Sequence, residues 1–387
     1  MGVAIASTID DPVSNFASVL SLKEERGVPD LLHQLQQYPY GTQDLDTSIS
    51  TCRHPAVVVN GVCYDCRRKI ENEDTYGLQF SYLHMGLKLS RSEIDRLRCL
   101  ESKKRLSQKK LHLVLDIDST LLQSFPSKQA SELVLSKNDK DTKDLGWGVV
   151  KLRPMVSEFL EKASAMFEMY LYTLGTRSYA NKIAKILDPP GVCFNNRIIS
   201  RDDNPYGVKS KTLDLVLGEE SNTLILDDNP EVWPDHLRNL ILIKEFVFTG
   251  TETDETEMNT PILGEILKVL QTIHSLFFQQ EVGCRDVRKL ARKVRSNVLR
   301  GCNLYMKKVE NSELWDAAKA MGATCCSELN SSVTHLVSCM RGSKDYNWGV
   351  ENKKFLVHES WIVEAYYLWQ RLPEENYSYI IDQSTEF

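Results

Sequence analysis

Leu111-His-Leu-Val-Leu115 runs straight into Asp116, Met169-Tyr-Leu-Tyr172 into Thr173, and Thr223-Leu-Ile-Leu226 into Asp227-Asp228. Leu240-Ile-Leu-Ile243 is a further run of the same kind. Short continuous apolar runs read as strands buried on both faces, as in a parallel sheet covered by helices. Helical patterns lie between them. Val156, Phe159, Leu160 and Ala163 repeat at i, i+3, i+4 and i+7. Tyr179, Ala180, Ile183, Ala184 and Leu187 do likewise until Asp188-Pro-Pro-Gly191 stops them. The alternation predicts an α/β domain: a parallel sheet with helices on both faces and right-handed crossovers. Ligands of such sheets bind beyond the carboxyl ends of the strands. Asp116, Asp118, Thr173, Asp227 and Asp228 are therefore predicted to converge, although residues 117–227 separate the first from the last.

Several carboxylates at one sheet edge repel one another and call for a hard cation. Mg²⁺ suits them, since it takes one or two protein carboxylates plus water and substrate phosphate. Asp116 and Asp118, two apart where a strand becomes a loop, can reach one phosphoryl group. One can attack phosphorus; the other can protonate the leaving oxygen and later deprotonate a water. Thr173 and Lys211 suit the non-transferred oxygens. On its own, D-x-D-x-T also describes helix caps and solvated turns. The hydroxyl-ended strand, the lysine and the double aspartate that follow in order carry the catalytic reading.

The rest of the chain is less regular. Residues 1–50 are polar with weak periodicity and read as mostly flexible, and residues 1–86 as a flexible N-terminal region that contains Cys52, His54, Cys63 and Cys66. Those four side chains read either as ligands suited to tetrahedral Zn²⁺ or as ordinary reduced residues. Ser90 with Glu93 predicts a capping box, and Ile94, Leu97 and Leu100 follow at helical spacing. The basic run Lys103-Lys104-Arg105 with Lys109-Lys110 reads as a nuclear address or as a solvated helix face. An acidic stretch at 250–260 reads as a linker or loop, followed by a helical stretch to about 292. Residues 293–387 read as a second, smaller α/β domain. Its strands lie near 303–306, 333–337 and 355–357, and its helix carries Trp361, Ile362, Ala365, Trp369 and Leu372.

Composition narrows the partners. The net charge of -6 offers no overall basic field for nucleic acid. No apolar run reaches the length of a membrane span. The start MGVAIASTIDDP lacks the pattern of a secretory signal, and Ala6 stands where a myristoylation pattern wants Ser or Thr. The ten cysteines are too scattered for a disulfide scaffold.

These residues resemble the haloacid dehalogenase superfamily, and within it the phosphatases of the RNA polymerase II C-terminal domain. The matching segments are LVLDIDSTLL (113–122), KLRPMVSEFL (151–160), MYLYTLGTRSYANKIAKILDP (169–189), NNRIISRDD (195–203), SKTLDLVLG (210–218) and LILDDNPEVWPDHLRNLILI (224–243). LRGCNLY, MGATC, SSVTHLVS and KFLVHESWIVEAYYLWQ resemble a BRCT domain. The resemblance implies a Rossmann-like phosphatase domain over 87–285 and a BRCT domain over 293–387. It implies four motifs, centred in chain order on Asp116, Thr173, Lys211 and Asp227-Asp228, with Asp116 the nucleophile and a Mg²⁺ ligand. Asp118 would be the general acid/base, its carbonyl also on the metal. Thr173 and Lys211 would bind phosphate, with Lys209 a nearby rival. Asp228 would bind Mg²⁺ and Asp227 would orient the lysine. Members without the second acid are dehalogenases or ion pumps, so Asp118 argues for phosphate-ester hydrolysis. Ile117 stands where the family usually has Leu, a swap that keeps the volume. Asn229-Pro230 resembles the small members of the class more than the large ones.

Residues 174–210, between the second and third motifs, leave no room for a large cap domain. An open site suits a phosphoserine on a flexible peptide. The resemblance implies the phosphorylated heptad tail of RNA polymerase II, a nuclear location, and contacts with general transcription factors through the BRCT domain. Arg177 and Arg201 are candidate substrate-side cations, although ion pairing at the surface is the commoner fate of such residues. The competing reading is a weakly catalytic phosphatase fold that serves as an adaptor.

Overall fold

The computed structural model describes residues 52, 55–70, 76–132, 140–205, 207–249, 261–306 and 312–378. The readings for residues 1–50, His54 and the 250–260 stretch lie outside them.

The first strands are β1 (Val57–Val59), β2 (Val62–Cys63), β3 (Leu78–Gln79) and β4 (Leu87–Leu89), paired antiparallel in the order β2-β1-β4-β3. Helix α1 (Arg91–Ser107) follows. The Ser90 hydroxyl accepts from the Glu93 N–H at 3.2 Å. The Ser90 N–H is taken by the Ala56 carbonyl (3.0 Å), and the Glu93 carboxylate binds Arg96 at 2.8 and 2.6 Å. The reciprocal half of the predicted capping box is thus replaced by ties to the sheet and along the helix. In the basic run, Arg105 is drawn to Glu168 (2.9 Å) and Glu101 (3.2 Å), and Lys110 to the Ser164 carbonyl (2.8 Å).

Strand β5 (Leu111–Leu115) enters the main sheet. A three-stranded antiparallel insertion comes next: β6 (Leu122–Pro126), helix α2 (Ser127–Glu132), β7 (Thr142–Asp144) and β8 (Gly148–Leu152), in the order β6-β8-β7. Helix α3 (Val156–Met166), β9 (Phe167–Tyr172), α4 (Arg177–Leu187), β10 (Ile198–Ile199), β11 (Thr223–Asp227) and β12 (Leu240–Leu242) complete a five-stranded parallel sheet. Its order is β10-β9-β5-β11-β12, with every pair parallel. The apolar runs are buried on both sides, as predicted. Leu111, Leu113, Leu115, Met169, Leu171, Leu224 and Leu226 face a core built with α3, α4, α5 (Ile262–Gln279) and α6 (Val287–Arg295). Val114, Tyr170, Tyr172 and Ile225 face the other side.

That other side departs from expectation. Val57, Val59, Phe80, Tyr82, Leu87 and Leu89 of the N-terminal sheet pack there beside Ile94 and Leu97 of α1. Tyr82 donates its N–H to Asp203 (3.1 Å) and its hydroxyl to the Leu215 carbonyl (2.8 Å). In the expected flexible segment up to residue 86, the described residues 55–70 and 76–86 contribute to a small sheet that covers the parallel one. A boundary at 86/87 would cut it between β3 and β4. The physical reason is burial: the open face of the sheet needs an apolar partner, and this module supplies it.

The C-terminal domain holds β13 (Asn303–Tyr305), α7 (Ser312–Ala320), β14 (Thr324–Cys326), β15 (His335–Val337), α8 (Lys344–Glu351), β16 (Phe355–Val357) and α9 (Ser360–Leu368). Its four strands are parallel, in the order β14-β13-β15-β16. Trp361 is fully buried, with its indole N–H on the Leu372 carbonyl at 2.9 Å. Leu368 and Trp369 reach into the core that contains α5, and the Arg295 guanidinium lies over the rings of Tyr366 (4.5 Å) and Trp369 (4.7 Å). No helix among the described residues is long and apolar enough to cross a membrane.

Candidate active site

The strand ends do converge. An open cleft of about 280 Å³ beyond β5, β9 and β11 is lined by Asp116, Asp118, Thr173, Lys211, Asp227 and Asp228. Asp116 prolongs the ladder, its N–H bonding the Leu226 carbonyl at 3.0 Å. The loop after it turns through Ser119, at φ 60°. Buried Arg153 pins that loop, donating to the Thr120 carbonyl (3.0 Å) and the Lys244 carbonyl (2.7 Å). Thr120 in turn donates to Asp228 Oδ1 at 3.1 Å and accepts from the Asp228 N–H at 3.2 Å. The first and fourth motifs are thereby tied together.

Lys211 is the electrostatic centre. Its buried ammonium contacts the Asp116 carboxylate and lies 2.6 Å from Asp227 Oδ2. The Lys211 N–H is held by the Val232 carbonyl at 2.7 Å, which fixes the stem. Asp227 also accepts from the Trp233 indole N–H (2.8 Å) and the Asn229 N–H (2.9 Å). Lys209 is exposed and takes no place in the cleft lining. Thr173 is buried, and its hydroxyl accepts from the Gly175 N–H at 2.9 Å. A side chain at Gly175 would meet Tyr179 at 2.7 Å and the Thr173 hydroxyl at 3.2 Å, so this turn needs glycine.

Burial dominates the protonation states. It pushes Asp116 up to about 8; Lys211 opposes the shift and Asp227 adds to it. Burial also raises Asp118, while hydrogen bonds from Tyr179 and Ser124 hold it down. Asp228 is raised by burial and by Asp227. For Lys211 burial acts downward, but Asp116 and Asp227 outweigh it and hold the ammonium above its usual range.

Tyr179, Ser124 and Trp233 were not singled out by the sequence. The Tyr179 hydroxyl contacts Asp118 Oδ1 and lies 2.6 Å from Ser124 Oγ, itself 3.4 Å from the same carboxylate. Tyr179 read as part of an apolar helix face. The available signal was its place one turn after the second motif, where Thr176 caps α4 by accepting the Tyr179 N–H. Trp233 carried a signal too, because a fully buried indole needs a partner for its N–H.

The two arginines fare differently. Arg177 is spent inside the fold, on the buried Asp203 carboxylate and the Ile198 carbonyl. Arg201 is exposed; its N–H holds the Gly175 carbonyl at 3.1 Å, so its backbone props the second-motif loop. Neither lines the cleft. Away from it, Cys52, Cys63 and Cys66 come together with their sulfurs within 4.8 Å of one another.

A family model described as "NLI interacting factor-like phosphatase" matches residues 111–281, and the BRCA1 C Terminus (BRCT) domain matches 294–366. The RNA polymerase II C-terminal domain phosphatase-like 4 of Arabidopsis thaliana is 38% identical over 376 residues, which covers 87% of this chain and 84% of that protein. The chain belongs to this phosphatase family. Phosphatase-like 3 of the same plant is 32% identical over 73% of this chain, but the match spans only 26% of that protein. The structure of fission yeast RNA polymerase II CTD phosphatase Fcp1 bound to beryllium fluoride matches the fold. It has a TM-score of 0.58 and 22% identity, covering 74% of this chain and all of that one. As a member of the family, the chain is a protein phosphatase that carries a BRCT domain.

Proposed function

We propose that the chain is a Mg²⁺-dependent protein serine phosphatase acting through an aspartyl-phosphate on Asp116, with the heptad tail of RNA polymerase II as its substrate. The observation that carries the chemistry is Lys211, held between Asp116 and Asp227 beneath an open cleft that also presents Asp118 and Thr173. The substrate is supported by the two Arabidopsis relatives, both named for the RNA polymerase II C-terminal domain.

The donor set fits Mg²⁺. Asp116, Asp227 and Asp228 present carboxylate oxygens within 4.8 Å of one another, and one ammonium does not neutralise them. Asp227 is committed to Lys211, Trp233 and Asn229. Asp116 and Asp228, with the Asp118 carbonyl that the resemblance supplies, would hold the ion. When bound, Mg²⁺ supplies charge neutralisation and keeps Asp116 ionised. Asp116 then attacks phosphorus in line with the seryl oxygen, and Asp118 gives that oxygen its proton as the ester bond breaks. Asp118, now ionised, takes a proton from the water that cleaves the aspartyl-phosphate. Lys211 and Thr173 hold the non-transferred oxygens. A carboxyl raised by burial suits the acid step, since it stays protonated further toward neutral pH.

The open cleft admits a phosphoserine on an extended peptide. Such a substrate places the enzyme in the nucleus, and the BRCT domain is then a dock for general transcription factors. The test is phosphate release from a phospho-heptad peptide with and without Mg²⁺, with Asp116→Asn as control. Release equal to the control sinks the enzymatic reading and leaves the adaptor. A panel of second- and fifth-position phosphoserines, set beside unrelated phosphopeptides, tests the substrate.

A further inference from the structure

We propose that Cys52, Cys63 and Cys66 bind one structural zinc ion that holds the N-terminal sheet together on the back of the phosphatase sheet. Zinc–thiolate bonds of about 2.3 Å at tetrahedral angles put sulfurs about 3.8 Å apart. Three sulfurs mutually within 4.8 Å meet that requirement with little movement.

Backbone geometry sets the triangle. Cys63 closes β2, and a tight turn brings Cys66 back beside it. The Arg67 N–H bonds the Cys63 carbonyl (3.0 Å), the Cys63 N–H bonds the Arg68 carbonyl (2.9 Å), and Arg67 sits at φ 60°. Cys52 comes from another part of the chain. It bridges Ile70, with its N–H on the Lys69 carbonyl at 3.0 Å. All three thiols are free of disulfides. The fourth ligand that the sequence offers is His54, two residues from Cys52 and outside the described residues.

The module has a physical need for such an ion. Its strands are two or three residues long. The core around the cysteines consists of Val58, Cys63 and Ile70, edged by Cys52, Cys66 and Tyr76. So little apolar surface does not fix a turn-rich segment by itself, and small modules of this kind use metals or disulfides. The consequence reaches the cleft wall. Tyr82 of this module holds Asp203, Asp203 holds Arg177 and the Ser200 N–H (2.9 Å), and the adjoining Arg201 N–H holds the Gly175 carbonyl.

The test uses the full chain, purified without chelator and dialysed against Mg²⁺ buffer. Metal analysis is expected to give one zinc per chain. A mercurial thiol reagent should release it, and cobalt exchange should give the thiolate charge-transfer and ligand-field bands of a tetrahedral site. Cys63→Ser is expected to lose the ion and to lower Tm by about 5 °C or more. Cys52→Ser, which removes the ligand that is less buried than Cys63, should weaken zinc retention while the chain stays folded. Wild-type zinc no higher than in Cys63→Ser overturns the proposal. So does mass spectrometry that finds two of the three cysteines joined as a disulfide. Because zinc content and cobalt spectra need no turnover, they stand or fall apart from the phosphatase reading.

Discussion

Among the described residues lie two parallel sheets, built on the same alternation and put to different use. In the phosphatase sheet β5, β9 and β11 are buried along their whole length and end on Asp116, Thr173 and Asp227. In the BRCT sheet the outer strands β14 and β16 are partly exposed, and β15 and β16 lead into Ser338 and His358. Its buried histidine, His335, is stacked between Phe355 (4.9 Å) and Trp361 (4.8 Å) as part of the core. Both sheets offer a carboxyl edge. In the first, strands end directly on acids, and an ammonium is buried to oppose them. The architecture supplies a place for chemistry, and the residues at the strand ends decide whether it is used.

The largest test of that contrast is Asp116→Asn. Phosphate release should fall by about 10³-fold or more, while the thermal transition measured without metal stays within a few degrees. Lys211→Met comes next. It leaves Asp116 and Asp227 facing one another, buried and unopposed. Chemical denaturation without metal should show a loss of about 3–5 kcal/mol, partly restored by Mg²⁺. Tyr179→Phe should act more gently, on the pH profile. In the proposed mechanism Asp118 is the acid, so turnover should be lost as pH rises through its pKa. The Tyr179 hydroxyl stabilises the ionised form; without it that pKa rises, and the alkaline limb of kcat/KM should move to higher pH. A limb that moves to lower pH, or stays in place, breaks this assignment. His358→Ala, at a strand end of the second sheet, should change turnover of a short phosphopeptide less than about twofold. A large effect there would erase the contrast.

How much was legible depends on how completely a strand is buried. The runs at 111–115, 169–172 and 223–226 stand out because both faces are covered, so polar residues are few, and those present, His112 and Thr223, are themselves fully buried. Strands β6 and β7 did not stand out. Leu122–Pro126 and Thr142–Asp144 are short, partly exposed and polar in part, and a proline ends the first. The N-terminal sheet escaped for a related reason: two or three residues are too few for any period. Within the cleft, the aspartates, Thr173 and Lys211 were readable because order and strand context reinforce each other. Ion pairing was among the fates read for Arg177, but its buried partner was not readable, because Asp203 is distant in sequence and is placed by the turn after β10. Tyr179 was hidden by its own ring, which counts as apolar in a helical pattern although its hydroxyl touches Asp118.

The seam where Leu368 and Trp369 sink beside α5, with Arg295 lying over Tyr366 and Trp369, has a bearing on ancestry. Modules joined by a bare tether can be traded between genes, since each leaves whole. Here a break before residue 293 would strand greasy surface on both halves, and each orphan would be prone to clump. Descent should therefore have kept the pair together, with substitutions on one side of the seam answered by substitutions on the other.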